Sequence, residues 1–208
     1  MWGALVITAL TAYLLGNLNG AICMSTLLEK DDVRNHGSGN AGMTNFLRSY
    51  GGWKTLLVIL IDMGKTVLAC LVGRYMLDHY GFGLEGAMLA AVAVSLGHDF
   101  PALLGFRGGK GILSGLFIAL AIDWRVGVLA LSVFVLIYLL TRYVSLGSIL
   151  GSTAFAVGFG VFQYGNWIVM GLGIFMGLLA VAMHWQNILR LVKGQEKKTD
   201  LFKKSEKQ

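Results

Sequence analysis

Hydrophobic residues run almost unbroken along the chain to about Leu191, and the runs are interrupted only at charged or turn-forming positions. These interruptions predict membrane-spanning helices near residues 2–28, 53–77, 84–104, 111–122, 125–141, 148–163 and 166–186. The pattern therefore predicts about seven transmembrane helices. Several runs fall short of the roughly 20 residues a helix needs to cross about 30 Å of hydrocarbon. Five or six crossings with re-entrant or broken pieces fit the same pattern. The runs lack the alternation of polar and apolar positions that marks a barrel wall. The predicted fold is all-α, a polytopic membrane helical bundle. The first run has no basic segment before it and no small-residue cleavage site, so it reads as a retained helix rather than a signal peptide.

Composition agrees: 56% of the residues are hydrophobic and 13% charged, against about 25% charged in soluble domains. One membrane domain over 1–194 and a basic cytoplasmic tail over 195–208 account for the whole chain. The tail reads as a solvated anchor for anionic lipid headgroups. Cys23 and Cys70 lie inside apolar runs, where they fill space rather than pair or bind metal. Glycine is unusually abundant at 29 residues. Close helix packing explains part of that number, and the rest requires another purpose.

Basic residues orient the chain. With seven spans and the C-terminus inside, fourteen of the seventeen Lys and Arg residues fall in cytoplasmic segments and only Arg74 and Arg125 in outer ones. That asymmetry places the N-terminus outside. Lys65 lies within a span, three residues after Asp62 on the same helical face, and the two read either as mutual neutralisation or as functional groups.

Four polar segments then share the cytoplasmic side. The segment Gly105-Phe106-Arg107-Gly108-Gly109-Lys110-Gly111 combines glycines that let backbone N–H groups approach an anion with two basic side chains, and a helix follows directly. It reads as a phosphate cradle or as a tight basic interfacial turn. It is not a Walker A loop, because the four-residue spacer before Gly-Lys-Ser/Thr is missing. The segment 36–45 packs Ser38, Asn40, Thr44 and Asn45 among three glycines, with Arg48 just beyond. That combination suits a small polyhydroxy, phosphorylated ligand, or a loop with a helix cap. His36 reads as an exposed loop residue. The segment 142–148 carries Ser145 and Ser148. At the end of the last run, His184 and Asn187 are three apart and so share a helical face, which suits proton transfer and carbonyl polarisation or plain interfacial anchoring. His98, near the only proline, Pro101, reads as a structural residue that shapes the turn before the glycine loop. No paired-histidine metal motif, no Gly-x-Ser-x-Gly elbow and no His-x4-Asp pair occurs. An enzyme built of these parts acts on a substrate that arrives activated.

Together, Gly-Ser-Gly-Asn-Ala-Gly-Met-Thr-Asn at 37–45, Gly-His-Asp-Phe-Pro through Gly-Gly-Lys-Gly at 97–111, and His-Trp-Gln-Asn-Ile-Leu-Arg-Leu at 184–191 followed by Gly194, Glu196 and Lys198 resemble the three motifs of the bacterial acyl-phosphate:glycerol-3-phosphate acyltransferase family. The resemblance covers nearly the full chain. Ala41 stands where that family usually has proline, Met43 where it has alanine, and Asp62-Met63-Gly64-Lys65-Thr66 in place of Asp-x-x-Lys-Gly. None of these departures removes a chemical group.

The resemblance implies transfer of a fatty acyl group from acyl phosphate to the 1-hydroxyl of glycerol 3-phosphate. Acyl phosphate, glycerol 3-phosphate and membrane lipid are the implied partners, with no nucleic acid, cofactor or metal, and with the chain acting as a monomer. The implied catalytic residues are Ser38, Arg48, Lys110, His184 and Asn187. The implied substrate-binding residues are Asn40, Thr44, Asn45, Arg107, Gly108, Gly109, Gly111, Ser145 and Ser148, supported by His98 and Glu196. Two rivals remain at this point: a phosphate-ester transporter, which would show repeated halves that this chain lacks, and an acyltransferase using acyl-CoA or acyl carrier protein.

Overall fold

The structure, a computed structural model, describes residues 1–198; the predicted tail from 199 on, with Lys203, Lys204 and Lys207, lies outside the described residues. The described residues are helical throughout their ordered elements. In chain order these are α1 (Trp2–Gly16), α2 (Gly20–Met24), α3 (Met43–Tyr50), α4 (Lys54–Asp78), α5 (Gly83–Asp99), α6 (Ile112–Ile122), α7 (Trp124–Thr141), α8 (Val144–Phe162), α9 (Trp167–Met183) and α10 (Trp185–Val192), with short 3-10 or π turns between some of them. Among the described residues five segments are long and apolar enough to cross a membrane, and a sixth is reached if the bent pair α9–α10 counts as one span. The remaining predicted span, α6, has 11 residues, about 16 Å at 1.5 Å per residue. The protein is an all-α, multi-pass membrane protein.

The chain forms two compact units, one of Met1–Ser114 and one from Gly115 onward. In the first, α4 and α5 approach through Gly73 and Gly86, where a Cβ on either would collide with the carbonyl oxygen of the other. Gly16 of α1 and Gly97 of α5 also meet backbone to backbone, where a Cβ would strike the Val94 and Tyr13 carbonyl oxygens respectively. Part of the glycine excess is thus helix contact, in which backbones pack directly because lipid supplies no hydrophobic drive between helices. A small core of Ala21, Ile22, Met24, Val33, Ala41, Phe46 and Val58 fastens the 30–50 loop region to α2 and α4.

The first span is broken. Between α1 and α2 the helical ladder lapses over Asn17–Asn19, and the freed backbone groups are met by the buried pair on α4. Lys65 Nζ donates to the Leu18 and Gly16 carbonyls at 2.7 and 3.3 Å, Asp62 Oδ1 accepts from Gly20 N–H at 3.1 Å, and the pair itself closes at 2.8 Å. Both side chains are essentially inaccessible. Unsatisfied backbone in hydrocarbon costs several kcal/mol per group, so the pair satisfies the break besides neutralising itself.

In the second unit α7, α8 and α9 run up and down. Gly173 and Gly177 of α9 sit against Phe159 and Ala156 of α8. At one end Asp123 gathers Arg125 Nη2 at 2.7 Å and Gln163 Nε2 at 2.8 Å, tying the start of α7 to the end of α8. The chemistry-bearing residues of this unit occupy the other end, where α7 meets α8 and α9 meets α10.

Candidate active site

The loop before α3 is organised by Asn45, which is buried on the first turn of that helix. Its Nδ2 donates to the Val33 and His36 carbonyls, each at 3.0 Å, and its Oδ1 accepts from Ser38 N–H at 2.9 Å. Gly37 lies so close to that amide that a Cβ would strike Oδ1, and its φ of +57° is one that glycine adopts without cost. The loop therefore presents the exposed Ser38 and half-buried Asn40 and Thr44, with exposed Arg48 in the last turn of α3. Asn45, expected to bind substrate, instead spends its amide on the loop that carries Ser38. Below it, His36 Nε2 and Tyr50 Oη share Asp31 Oδ2. The adjacent Asp32 N–H and the Tyr50 hydroxyl hold the Asp31 carboxyl below its ordinary range, while burial and that carboxylate push the Tyr50 phenol up to about 12.

The glycine loop is hydrogen-bonded to this first loop. Ala41 N–H donates to Gly108 O at 3.3 Å, a bond that proline at that position could not make. Arg34 straps the two: its Nη1 reaches the carbonyls of Leu104 and Arg107 at 2.8 and 3.2 Å. Its other face holds Asp32, with Nη2–Oδ2 at 2.7 Å. These bonds hold the Asp32 carboxyl below its ordinary value. The amides of Gly108 and Gly109 do not face an anion. They donate to the carbonyls of Asp99 and His98 at 3.2 and 3.0 Å, and a Cβ on either glycine would run into His98. The sequence pattern assigned these two glycines to backbone contact with phosphate; in the structure both amides hold the loop flat against the His98–Asp99 turn. Gly111, at φ +64°, sits over the Asp99 carboxylate, and α6 starts at the next residue. Arg107 is exposed and Lys110 half-buried.

In the second unit the 142–148 stretch is the start of α8 rather than a loop, so Ser145 and Ser148 lie buried on successive turns. The last apolar run breaks by 53° at His184, which caps α9 and precedes α10. His184 and Asn187 consequently do not share one continuous helix face, although both remain buried. His184 Nδ1 lies 2.8 Å from the Ala180 carbonyl. A carbonyl only accepts, so Nδ1 carries a proton and the neutral ring has its lone pair at Nε2. Glu196 Oε1 accepts from Asn187 Nδ2 at 2.8 Å, and its Oε2 from Arg190 Nε at 2.7 Å. Burial raises the Glu196 pKa, but the bonds from Arg190 and Asn187 outweigh it and hold the group below its ordinary value. The buried Ser145 hydroxyl is near enough to that carboxylate to add to the effect, yet makes no full hydrogen bond with it.

A family model described as glycerol-3-phosphate acyltransferase matches residues 6–194. The chain belongs to that family. A glycerol-3-phosphate acyltransferase of Thermoanaerobacter pseudethanolicus is 40% identical over 93% of this chain and 94% of its own length. One of Prochlorococcus marinus strain MIT 9312 is 36% identical over 93% and 96%. Two solved structures of an integral membrane glycerol 3-phosphate acyltransferase, PlsY (YgiH), are similar to the chain at 31% identity. The glycerol 3-phosphate form superposes with a TM-score of 0.84 over 96% of this chain and 99% of that one. The lysophosphatidic acid form reaches 0.79 over 94% and 95%.

Family membership gives the buried positions of this glycerol-3-phosphate acyltransferase a context. The structure brings the first and second motifs together in the first unit, and Ser145, Asn187, Arg190 and Glu196 together in the second. Sequence reasoning missed Arg34 and Asn19. Arg34 follows Asp32 by two residues, a spacing that Arg125 shares with Asp123, so the sequence does not single it out; Asn19 is marked only by standing before Gly20 as a helix cap does.

Proposed function

We propose that this chain transfers a fatty acyl group from acyl phosphate to the 1-hydroxyl of glycerol 3-phosphate, releasing 1-acyl-glycerol 3-phosphate and inorganic phosphate. The observation that carries the reading is the occurrence of all three motifs, in order, in a chain that matches a glycerol 3-phosphate acyltransferase over almost its whole length. The chemistry is consistent. Acyl phosphate is a mixed anhydride with a good leaving group, so positioning and charge compensation can supply the rate without a covalent intermediate. Ser38, Asn40 and Ser145 place the acceptor, while Arg48 and Lys110 compensate the phosphate charges. In the first unit Thr44, Arg107 and Gly111 assist substrate binding, with Asn45, Gly108 and Gly109 shaping the loops, and in the second unit Ser148 assists it. Asn187, turned by Glu196, orients the acyl carbonyl or its oxyanion. His184 offers Nε2 to the hydroxyl proton, a task that a substrate phosphate can share.

The protein sits in the cell (inner) membrane with its N-terminus outside and its site on the cytoplasmic face. The first unit supports this by itself. Its three spans put both substrate loops on one side, with Lys30, Arg34, Arg48, Lys54, Arg107 and Lys110, while the 79–82 turn on the other side carries no Lys or Arg.

The test is phosphate release from palmitoyl phosphate by the protein in lipid, with and without glycerol 3-phosphate and with no thioester present. Acceptor-dependent release that collapses in Lys110→Ala and His184→Ala is expected. Turnover on acyl-CoA alone would reassign the donor.

A further inference from the structure

The reaction as described leaves the buried Asp62–Lys65 pair and His98 without a part in it. We propose that these three residues form a positioning centre that sets the two substrate loops of the first unit in register, and so governs affinity for the phosphate of the acceptor. The proposal rests on the reading of those loops as phosphate-binding.

The geometry is a closed circuit of hydrogen bonds. Lys65 Nζ has three protons and meets Asp62 Oδ1 at 2.8 Å, Leu18 O at 2.7 Å and His98 Nδ1 at 2.8 Å, with Gly16 O sharing at 3.3 Å. An ammonium only donates, so His98 accepts at Nδ1 and carries its proton at Nε2. From the centre one arm runs through the break in the first span. Asn19 lies between Leu18 and Gly20, both of which the pair holds. Its Oδ1 accepts from Ile22 N–H at 3.0 Å, capping α2, and its Nδ2 donates to Ala41 O at 3.0 Å in the first loop. The other arm runs through His98, whose ring abuts Gly109 and whose carbonyl accepts Gly109 N–H at 3.0 Å in the second loop. The Ala41 N–H bond to Gly108 O closes the circuit. Neutralising one lysine in the membrane needs only Asp62. The histidine, the broken helix and the asparagine are accounted for by a structure that holds both loops from one rigid point. A displacement of the order of 1 Å at a binding loop costs up to about 100-fold in function, so small changes at the centre reach the ligand.

Two substitutions separate this role from a merely structural one. Asn19→Asp keeps the α2 cap, since the two residues cap equally well, but replaces the donor to Ala41 O by a carboxylate oxygen that repels that carbonyl. His98→Leu removes the acceptor for Lys65, whereas His98→Asn retains an oxygen that can take its place. Equilibrium binding of labelled glycerol 3-phosphate, measured without donor, is the readout, with thermal melting alongside. Asn19→Asp and His98→Leu are each expected to weaken binding about tenfold while His98→Asn restores most of it. Because both open the same circuit, the double variant Asn19→Asp/His98→Leu should bind little worse than either single one. Unchanged binding in Asn19→Asp overturns the proposal, as does an additive double variant, or an asparagine at 98 no better than leucine. If His98→Leu does not fold, the result for Asn19→Asp decides alone. Turnover of palmitoyl phosphate by the wild-type protein is followed in the same series. Its absence would overturn the donor assignment and leave the binding comparison to judge the centre.

Discussion

The Asn45 amide faces two carbonyls with its nitrogen and one amide N–H with its oxygen, and these three bonds fix which way round it sits. Substitution should therefore be graded by chemistry rather than by size. Asn45→Ala leaves buried backbone groups unsatisfied, at about 1–3 kcal/mol each, and Asn45→Asp adds repulsion between a carboxylate and two carbonyls. Thermal denaturation in detergent should rank wild type above Ala and Ala above Asp, with activity following the same order. Gly109 and Gly105 give a second contrast within one motif. At Gly109 a Cβ meets the His98 ring; at Gly105 the space is open and only a φ of +70° resists a side chain. Gly105→Ala is expected to cost about 1–2 kcal/mol of backbone strain and to retain activity within about tenfold at most. Gly109→Ala forces the loop off the His98–Asp99 turn, and acyl transfer assays should find it the more damaged of the two. The sequence marks both glycines equally, because a motif shows where a side chain is missing and not which neighbour fills its place. Residue type gives hydrogen-bonding capacity and makes the polar segments legible, but only the fold shows where that capacity is spent, as with the Asn45 amide on its own loop.

At the scale of elements, hydropathy located the helices closely. The run read at 53–77 is α4 at Lys54–Asp78, and that read at 125–141 is α7 at Trp124–Thr141. What it did not show were the breaks at Asn17–Asn19 and His184, because apolar residues resume directly beyond the few polar ones at each. The partners that make the first break tolerable, Asp62 and Lys65, lie more than 40 residues away. At the second, α10 is held by Glu196 through Arg190 and Asn187. Glu196 has its folded pKa lowered from an ordinary value of 4.5. Its stabilising contribution is thus complete above the unfolded value and disappears as pH falls through the lower, folded one. Near neutrality it is fully ionised. Glu196→Gln still accepts from Asn187 but turns an NH2 toward Arg190, and a fall in kcat of about tenfold is expected from the loosened amide. The pH–rate profile between about pH 6 and about pH 8 should keep its shape. A changed profile would mean that Glu196 itself titrates in the reaction.

For the whole molecule the open quantity is the number of crossings, and α6 decides it. The charges on either side of α6 supply an argument that its length does not. The orientation proposed for the first unit has Arg107 and Lys110 inside. If the chain recrosses through α6, then Arg125 and the 163–166 turn lie outside while Arg142, Arg190, Lys193, Lys197 and Lys198 lie inside, as the positive-inside rule favours. If α6 does not cross, all of these invert and the basic C-terminal segment faces outward. An 11-residue helix covers only about 16 Å of a core of about 30 Å. The crossing then has to be completed by non-helical backbone, which membranes tolerate where it is buried in protein or lines a water-filled cavity. We therefore expect seven crossings with one short member. Single cysteines at Tyr80, Tyr164 and Ser49, introduced after Cys23 and Cys70 are replaced by alanine, test this with a membrane-impermeant thiol reagent on intact cells and inverted vesicles. Tyr80→Cys and Tyr164→Cys should label from outside and Ser49→Cys only from the cytoplasmic face. Labelling of Tyr164→Cys from the cytoplasm alone, with the other two as expected, would mean that α6 turns back and that the charge rule is broken in the second unit.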